Sequence, residues 1–251
     1  MNGFQKHNID HSSPSQINMW ADAPCAWVAK YLFDKKFSFS NAARAGVLVE
    51  NAVKFILTGK STHEEASEQA YNAYMMQVAL TGSDADRTRG QAIRGMIEGA
   101  IEALKSYGEP EFTETGDQKK VEILCKGDGW ELPVIGFLDF HFPKHGLIVD
   151  LKTTMRMPSA MSDSHLRQQA IYQAVMGNQE VKFLYVTGKK AEMFSCDGHQ
   201  NVLAEIKAIM NRQERFLHMG DKETLRDIVP VNAGSFFWSG DEIIRKELYG
   251  I

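Results

Sequence analysis

The stretch VIGFLDFHFPKHGLIVDLKTT, residues 134–154, decides the fold. It belongs to two apolar runs, residues 133–142 and 147–154, which are joined by four residues that begin with Pro143 and end with Gly146. Short runs rich in β-branched and aromatic residues predict strands. A connection of only four residues favours an antiparallel hairpin, because parallel strands need a much longer crossover. We therefore predict two buried strands that lie side by side.

Three charged residues interrupt these otherwise apolar strands. Alternate residues of a strand face the same way, so Asp139 shares a face with Ile135 and Phe137, and Asp150 shares a face with Lys152. Carboxylates and amines inside a buried sheet are costly unless they pair or bind a cation. A pair of carboxylates suits Mg²⁺, which prefers oxygen ligands. The hairpin thus predicts a metal site, and a plain salt bridge between Asp150 and Lys152 is the alternative.

In the rest of the chain, the predicted secondary structure changes from mainly helices to mainly strands near Gly108. Apolar spacing and capping patterns predict N-terminal helices from Ser13 and at residues 41–57, 62–80 and 84–107. Further strands are predicted at residues 109–116, 119–126, 181–187 and 191–195, with turns at 127–129 and 188–190. The remaining helices are predicted at residues 165–176, 200–218 and 222–228, followed by a tail from Pro230 that packs on the body.

This order predicts an α/β fold with a mixed central sheet flanked by helices and an N-terminal helical lobe. Residues 1–12 are polar, and we expect them to form a flexible tail. Residues 13–251 are expected to form a single domain, in which residues 13–108 make the helical lobe and residues 109–251 the α/β core and C-terminal helices.

Composition excludes several classes of protein. Hydrophobic residues make up 43% of the 251 residues, which is enough for a core, and a net charge of −4 argues against a protein that coats nucleic acid by bulk charge. No apolar run is long enough to span a membrane and no secretory signal is apparent, so we expect a cytoplasmic protein. The three cysteines form no CxxC pair, which predicts neither an iron–sulfur cluster nor structural zinc.

Several motifs in order resemble the RecB-type branch of the PD-(D/E)XK nuclease superfamily. The motif GFLD at residues 136–139 precedes IVDLKT at residues 148–153, and Gln168 and Tyr172 form a Q-x-x-x-Y pattern. The segment SPSQINMWADAPC at residues 13–25 resembles the family's opening helix, and AGVLVE at residues 45–50 resembles its G-x-x-x-H element. The resemblance covers residues 13–188 and implies a restriction-endonuclease-like core.

The resemblance implies a role for each matching residue. Asp139 and Asp150 would ligate Mg²⁺ or Mn²⁺ with the Leu151 carbonyl, and Lys152 would be the catalytic lysine. Glu50 stands where the family has its motif histidine, and a carboxylate can also ligate these ions. Supporting and DNA-contacting roles would fall to residues around this set, namely Gln168, Tyr172, Thr153 and Arg156.

The leading prediction is therefore a divalent-metal-dependent DNA nuclease, similar to phage exonucleases of recombination and end processing. DNA is the expected substrate, and a single-strand annealing or recombination protein is a candidate partner. No G-x-x-x-x-G-K-[ST] motif occurs, so no ATP-driven motor is expected. A non-catalytic DNA-binding module on the same fold and a carboxylate-pair glycosidase are the alternatives. The aromatic residues 236–238 could be a stacking platform for bases, although core packing of the tail is the plainer interpretation.

Overall fold

The computed structural model describes residues 2–80, 83–113, 118–123 and 132–251. The predicted turn at residues 127–129 and the cysteine at position 125 lie outside these ranges. The predicted strand at residues 109–116 is wrong for residues 109–113, because Glu111 makes only an isolated bridge to His141 and no strand extends from it. Pro110, which lacks an N–H group, precedes that bridge.

Three helices open the chain: α1 (Gly3–Lys6), α2 (Pro14–Asp22) and α3 (Pro24–Tyr31). The expectation of a loose tail at residues 1–12 is wrong for α1, whose Phe4 is only 1% exposed. The N–H of Gly3 donates to Glu214 Oε1 at 3.1 Å, and Lys6 Nζ donates to the carbonyl of Gly220 at 2.8 Å. Long-range contacts to the C-terminal part of the chain thus hold a segment whose own sequence is polar.

The helical lobe consists of α4 (Asn41–Leu57), α5 (His63–Val78) and α6 (Asp84–Leu104), and α6 continues into a 3₁₀ turn, Lys105–Tyr107. The three helices pack on one another. Each begins with a hydroxyl side chain that accepts a backbone N–H, and Thr62 and Glu65 complete a reciprocal capping box at the start of α5. The predicted helical lobe is therefore present, with its α4 bounds as predicted.

Six strands form two sheets in the described part of the chain. They are β1 (Lys119–Ile123), β2 (Val134–Leu138), β3 (Phe140–Phe142), β4 (Leu147–Thr153), β5 (Glu180–Val186) and β6 (Ala191–Phe194). Strands β1 and β2 make a two-stranded antiparallel ribbon. The other four form a sheet of order β3-β4-β5-β6, in which β4 and β5 are parallel and the outer pairs antiparallel. The mixed sheet agrees with the prediction.

The predicted hairpin is present, but its first strand is broken. Residues 133–142 were expected to be one strand, and instead the chain bends at Asp139 and passes from the ribbon into the four-stranded sheet. Gly146 closes the link with a φ of +57°, which glycine adopts without strain. The break arises from tertiary pairing, because β2 finds its partner in β1 while β3 pairs with β4.

The four-stranded sheet separates two hydrophobic cores. The side chains of Leu147, Val149 and Leu151 pack on the side of α4, α5 and α6. Ile148, Phe183 and Tyr185 pack on the opposite side, with α2, α3, α7 (Asp163–Met176) and α8 (His199–His218). Asp150 and Lys152 follow the parity of Ile148, so they point towards α7. The predicted alternation along β4 is confirmed.

The C-terminal part adds α9 (Lys222–Ile228), a 3₁₀ turn at Phe236–Trp238 and α10 (Glu242–Tyr249), the last of which was not predicted. Trp238 is 1% exposed and its ring centroid lies 5.5 Å from that of Phe37. Both carboxylate oxygens of Asp241 accept the N–H of Ser38. The tail packs on the body as predicted. None of the helices in the described ranges has the length and apolar composition needed to cross a bilayer.

Candidate functional site

The β3–β4 hairpin brings Asp139 and Asp150 to the same place. Phe140 pairs with Val149 in the antiparallel register, so Asp139, one residue before β3, lies opposite Asp150 in the continuation of that register. The backbone N–H of Leu151 donates to Asp139 Oδ2 at 2.9 Å. Asp150 is only 1% exposed. The two carboxylates therefore meet at the edge of the sheet, as the hairpin predicted.

A third carboxylate comes from helix α4, which packs on β4. The side-chain amide of Gln118 donates both to Glu50 Oε1, at 2.7 Å, and to Asp139 Oδ1, at 2.8 Å. Glu50 and Asp139 thus lie on either side of one nitrogen atom. One turn before Glu50, a Cβ atom built on Gly46 would lie 3.4 Å from Thr153 Oγ1, which shows how closely α4 approaches the end of β4.

Lys152 contributes the positive charge of the site. Its ammonium forms an ion pair with Asp150 Oδ1, and Nζ lies 5.3 Å from the centre of the Phe183 ring. The lysine pairs with Tyr185 in the register of the parallel strands β4 and β5. Because Lys152 follows Asp150 by two residues on one strand, both side chains emerge from the same face.

Helix α7 covers this face with two polar side chains. Gln168 Nε2 donates to Asp150 Oδ2 at 2.7 Å and to the hydroxyl oxygen of Tyr172 at 3.0 Å. The Tyr172 hydroxyl donates in turn to the carbonyl of Phe137 at 2.7 Å. Gln168 and Tyr172 are four residues apart and so lie on one side of the helix. This chain of hydrogen bonds links helix α7 to strand β4 at Asp150 and to strand β2 at Phe137.

The glycine of the GFLD motif makes this arrangement possible. A Cβ atom at position 136 would lie 2.4 Å from Cε1 of Tyr172, which is well inside contact distance. The ring cannot easily retreat, because Tyr172 is 3% exposed and its hydroxyl is bonded on both sides. Glycine at position 136 is therefore explained by the close approach of the tyrosine to strand β2.

The electrostatics of the site favour an added cation. Burial raises the pKa of Asp139 well above its usual value, and the charges of Asp150 and Glu50 raise it further. Burial and the charge of Asp150 likewise raise the pKa of Glu50. Burial raises the pKa of Asp150, although the Lys152 ammonium opposes the shift. Three carboxylates that repel one another in a desolvated place are stabilised by a positive ion.

The pKa of Lys152 is shifted in the opposite sense to that expected for a buried amine. Burial alone lowers the pKa of Lys152, but the charges of Asp150 and Asp139 outweigh burial and raise it. The side chain therefore remains an ammonium ion at neutral pH. An ammonium can hold and stabilise negative charge, whereas only the neutral amine could accept a proton.

The donor set fits a hard divalent cation. Glu50, Asp139 and Asp150 offer carboxylate oxygens, which Mg²⁺ and Mn²⁺ prefer. Within the residues that the structure describes, no three histidine, cysteine or carboxylate side chains already form a metal-holding cluster. The amide of Gln118 lies between two of the three carboxylates and satisfies them in place of a cation. A cation shared by Glu50 and Asp139 has to displace that amide.

The remaining predicted residues lie at different distances from this centre. The Leu151 side chain packs in the core with α4, α5 and α6, and the backbone N–H of this residue binds Asp139. Thr153 lies beside Gly46 at the end of β4. Arg156 is exposed on the loop after β4, where its backbone N–H donates to Thr154 Oγ1.

Sequence reasoning missed Gln118 and His165. Nothing in the pattern around Gln118 marks it, because it is one residue of a polar stretch, TETGDQKK at residues 113–120, and lies 21 positions before Asp139. His165 Nδ1 lies 2.5 Å from the Tyr185 hydroxyl, and its ring stacks on Phe183 with centroids 5.5 Å apart. Burial, and secondarily the Lys152 charge, lower the pKa of His165 to about 4. Its position three residues before Gln168 on the same helix was the available signal.

Comparison with known proteins agrees with this geometry. A family model described as the PD-(D/E)XK nuclease superfamily matches residues 11–228. The match spans most of the 251 residues and includes every residue of the candidate site. No curated protein matches the sequence.

Proposed function

We propose that this chain, which belongs to the PD-(D/E)XK nuclease superfamily, is a Mg²⁺- or Mn²⁺-dependent deoxyribonuclease that hydrolyses phosphodiester bonds. The observation that carries the proposal is the convergence of Glu50, Asp139 and Asp150 beside the Lys152 ammonium. One buried and two half-buried carboxylates beside one amine are costly to the fold unless they serve a site.

Each residue is assigned a role by its contacts. Glu50, Asp139 and Asp150 would hold the metal, with the Leu151 carbonyl as a further oxygen ligand. The metal would supply Lewis acidity and neutralise charge on the phosphate. Gln168 orients Asp150 through a hydrogen bond of 2.7 Å, and Tyr172 holds Gln168 against strand β2. These two residues are therefore positioning residues.

Lys152 is assigned to stabilising the negative charge that develops on the phosphate. Because neighbouring carboxylates raise its pKa, the side chain stays protonated and acts as a charge rather than as a base. Thr153 at the end of the same strand and Arg156 on the loop after it would contact the scissile or an adjacent phosphate. Arg156 is exposed, so its guanidinium is accessible to a nucleic-acid backbone.

We further propose that the enzyme is an exonuclease of phage or bacterial recombination and end processing, working in the cytoplasm. The motif order from GFLD to Q-x-x-x-Y supports this assignment, and so does the lack of a nucleotide-binding P-loop in the sequence. A single-strand annealing or recombination protein would be its partner, because such a protein takes up the strand that an exonuclease leaves.

The test is cleavage of end-labelled linear DNA with Mg²⁺, Mn²⁺, Ca²⁺ or EDTA, and of a closed circle of the same sequence. Cleavage with Mg²⁺ or Mn²⁺ is expected, with little turnover in Ca²⁺ or EDTA, and the circle should survive if the enzyme needs an end. Asp139→Ala, Asp150→Ala and Lys152→Ala should each reduce cleavage by at least a hundredfold. The matched controls Asp197→Ala and Lys144→Ala change exposed residues and should cut normally.

Three results would contradict the proposal. A folded protein that cuts no DNA with any divalent metal, yet binds it, would support the DNA-binding alternative. Full activity in EDTA would exclude a metal-dependent nuclease. A variant of Asp139, Asp150 or Lys152 that cuts at the wild-type rate would show that the role of that residue is assigned wrongly.

A further inference from the structure

A groove of about 890 Å³ opens directly beside the candidate site. Lys152, Gln168 and Tyr172 form one wall, so the groove is continuous with the place where the scissile phosphate is proposed to bind. Its volume lies in the range of sites that take up a small molecule or one unit of a polymer. Other lining residues come from strand β2, from the start of helix α2 and from the C-terminal tail.

Two exposed phenylalanines line this groove. Phe137 of strand β2 is 50% exposed and Phe236 of the C-terminal 3₁₀ turn is 73% exposed. A solvent-exposed phenylalanine forgoes the free energy that burial of its apolar surface would contribute. Two such residues at one groove, next to catalytic side chains, indicate a surface that a ligand covers.

Contacts of the neighbouring backbone and side chains hold both exposed phenylalanines in place. Trp238, two residues after Phe236, is buried against Phe37 and Tyr249, and Ser235 Oγ accepts the N–H of Phe237. The carbonyl of Phe137 accepts the Tyr172 hydroxyl at 2.7 Å. The turn Phe236–Trp238 therefore has Trp238 in the core and Phe236 exposed to solvent. Of the two interpretations of this segment, core packing applies to Trp238 and base stacking to Phe236.

The other lining groups are mostly polar and uncharged. Hydroxyl and amide side chains of the described lining include Ser13, Asn18, Asn232 and Ser235. Lys152 is the single lysine or arginine among the described lining residues. Phosphates are usually bound by several cations or backbone N–H groups, whereas a nucleobase is a flat ring with neutral donors and acceptors at its edge. The lining therefore suits a base better than a run of phosphates.

We infer that this groove binds an unpaired nucleobase of the substrate strand, next to the scissile phosphate, and that Phe236 and Phe137 are its stacking surface. The inference rests on the proposed nuclease function and adds that the nucleotide beside the cut is single-stranded when it is bound. Stacking of a base on an aromatic side chain stabilises binding regardless of sequence. The groove thus selects an unpaired end over an intact duplex.

The test measures binding of a fluorescein-labelled single-stranded 12-mer in Ca²⁺, by anisotropy, with an abasic site placed at each position in turn. For the wild-type protein, one or two abasic positions should weaken binding by roughly 5- to 150-fold. Phe236→Ala should weaken binding of the intact strand by a similar factor and should remove the penalty at the same abasic position, because the two partners are coupled. Phe236→Trp should preserve the wild-type pattern.

Phe39→Ala is the matched control, because Phe39 is 51% exposed but is not part of the groove lining. The inference is overturned, with the nuclease function intact, if DNA is cut normally and no abasic position depends on Phe236. It is also overturned if Phe236→Ala changes the molar mass in light scattering but not DNA binding, since the occupant would then be a second protein chain. A wild-type protein that binds no DNA at all overturns both proposals.

Discussion

Glu50 offers a direct test of the crowded carboxylates, because one substitution removes its charge and keeps its shape. In Glu50→Gln the side-chain oxygen can still accept the hydrogen bond that Gln118 donates at 2.7 Å. The change removes the desolvated negative charge and its repulsion with Asp150. We expect the metal-free variant to be more stable than the wild-type protein, although the residue is proposed to ligate the metal.

The expected gain is about 1 kcal/mol in the free energy of unfolding. Removal of an uncompensated functional charge commonly adds about 0.5–2 kcal/mol. Loss of the attraction to Lys152, and of the smaller attraction to Lys54 four residues later on the same helix, offsets part of this gain, about 0.3–0.5 kcal/mol for the Lys54 pair. For a chain of this size, a gain of about 1 kcal/mol raises Tm by roughly 2–4 °C.

The direction of the pKa shift of Glu50 determines how the stability gain of Glu50→Gln varies with pH. The pKa of Glu50 is raised in the folded state above the ordinary value of 4.5, so the ionised form costs stability and the protonated form does not. The cost is absent below pH 4.5 and grows as the pH rises towards the folded-state pKa. The advantage of Glu50→Gln should therefore be present at pH 8 and should disappear by about pH 4.5.

The assay is thermal and urea unfolding, in EDTA and in Mn²⁺, at several pH values. Metal should stabilise the wild-type protein by about 2.7 kcal/mol at a hundred times its Kd, and the variant by much less. Glu109→Gln, at an exposed glutamate outside any helix or strand, is the control and should change neither quantity. The reasoning is refuted if Glu50→Gln is less stable in EDTA at pH 8, or if Mn²⁺ stabilises it as much as the wild-type protein.

Two further substitutions test neighbouring contacts. Gly136→Ala should lower the free energy of unfolding by about 1–3 kcal/mol, because its Cβ would lie 2.4 Å from the buried Tyr172 ring. Urea unfolding measures this change. Gly234→Ala is the control, because a Cβ at position 234 has space. Gln118→Ala should tighten Mn²⁺ binding about tenfold in calorimetry, because it removes the amide that a shared cation has to displace. Weaker binding would instead make Gln118 a support for the bound ion.

The structural features that were predicted correctly are those that depend on residues close together in the sequence. The proline-to-glycine link of four residues predicted the antiparallel pairing of β3 with β4, and strand parity predicted that Asp150 and Lys152 leave the sheet on the side opposite Val149. Helix α4 was predicted with its observed bounds from the helical spacing of its apolar residues, and the structure adds a cap at Ser40. The residues that specify each of these elements lie within about twenty positions of one another in the sequence.

Features created by distant contacts could not be predicted in the same way. The strand was expected to run through Asp139, but pairing of β2 with β1 ends one sheet there and starts another. Helix α1 owes its position to Glu214, more than two hundred residues away. The amide of Gln118 reaches two carboxylates from different parts of the chain. The pattern of residues along the chain does not show which residues that are distant in sequence will contact one another.

The change of sheet at Asp139 has a mechanical consequence. Asp139 pairs in neither ladder, so the backbone passes from the ribbon β1–β2 to the four-stranded sheet at this residue. Phe137, two residues earlier, belongs to the ribbon, whereas Asp150 belongs to the larger sheet. A displacement of Phe137 would therefore also move Asp139 relative to Asp150, because the backbone runs directly from one strand to the other through this residue. Base stacking on Phe137 and ion binding by Asp139, as proposed above, would then be coupled through this bend.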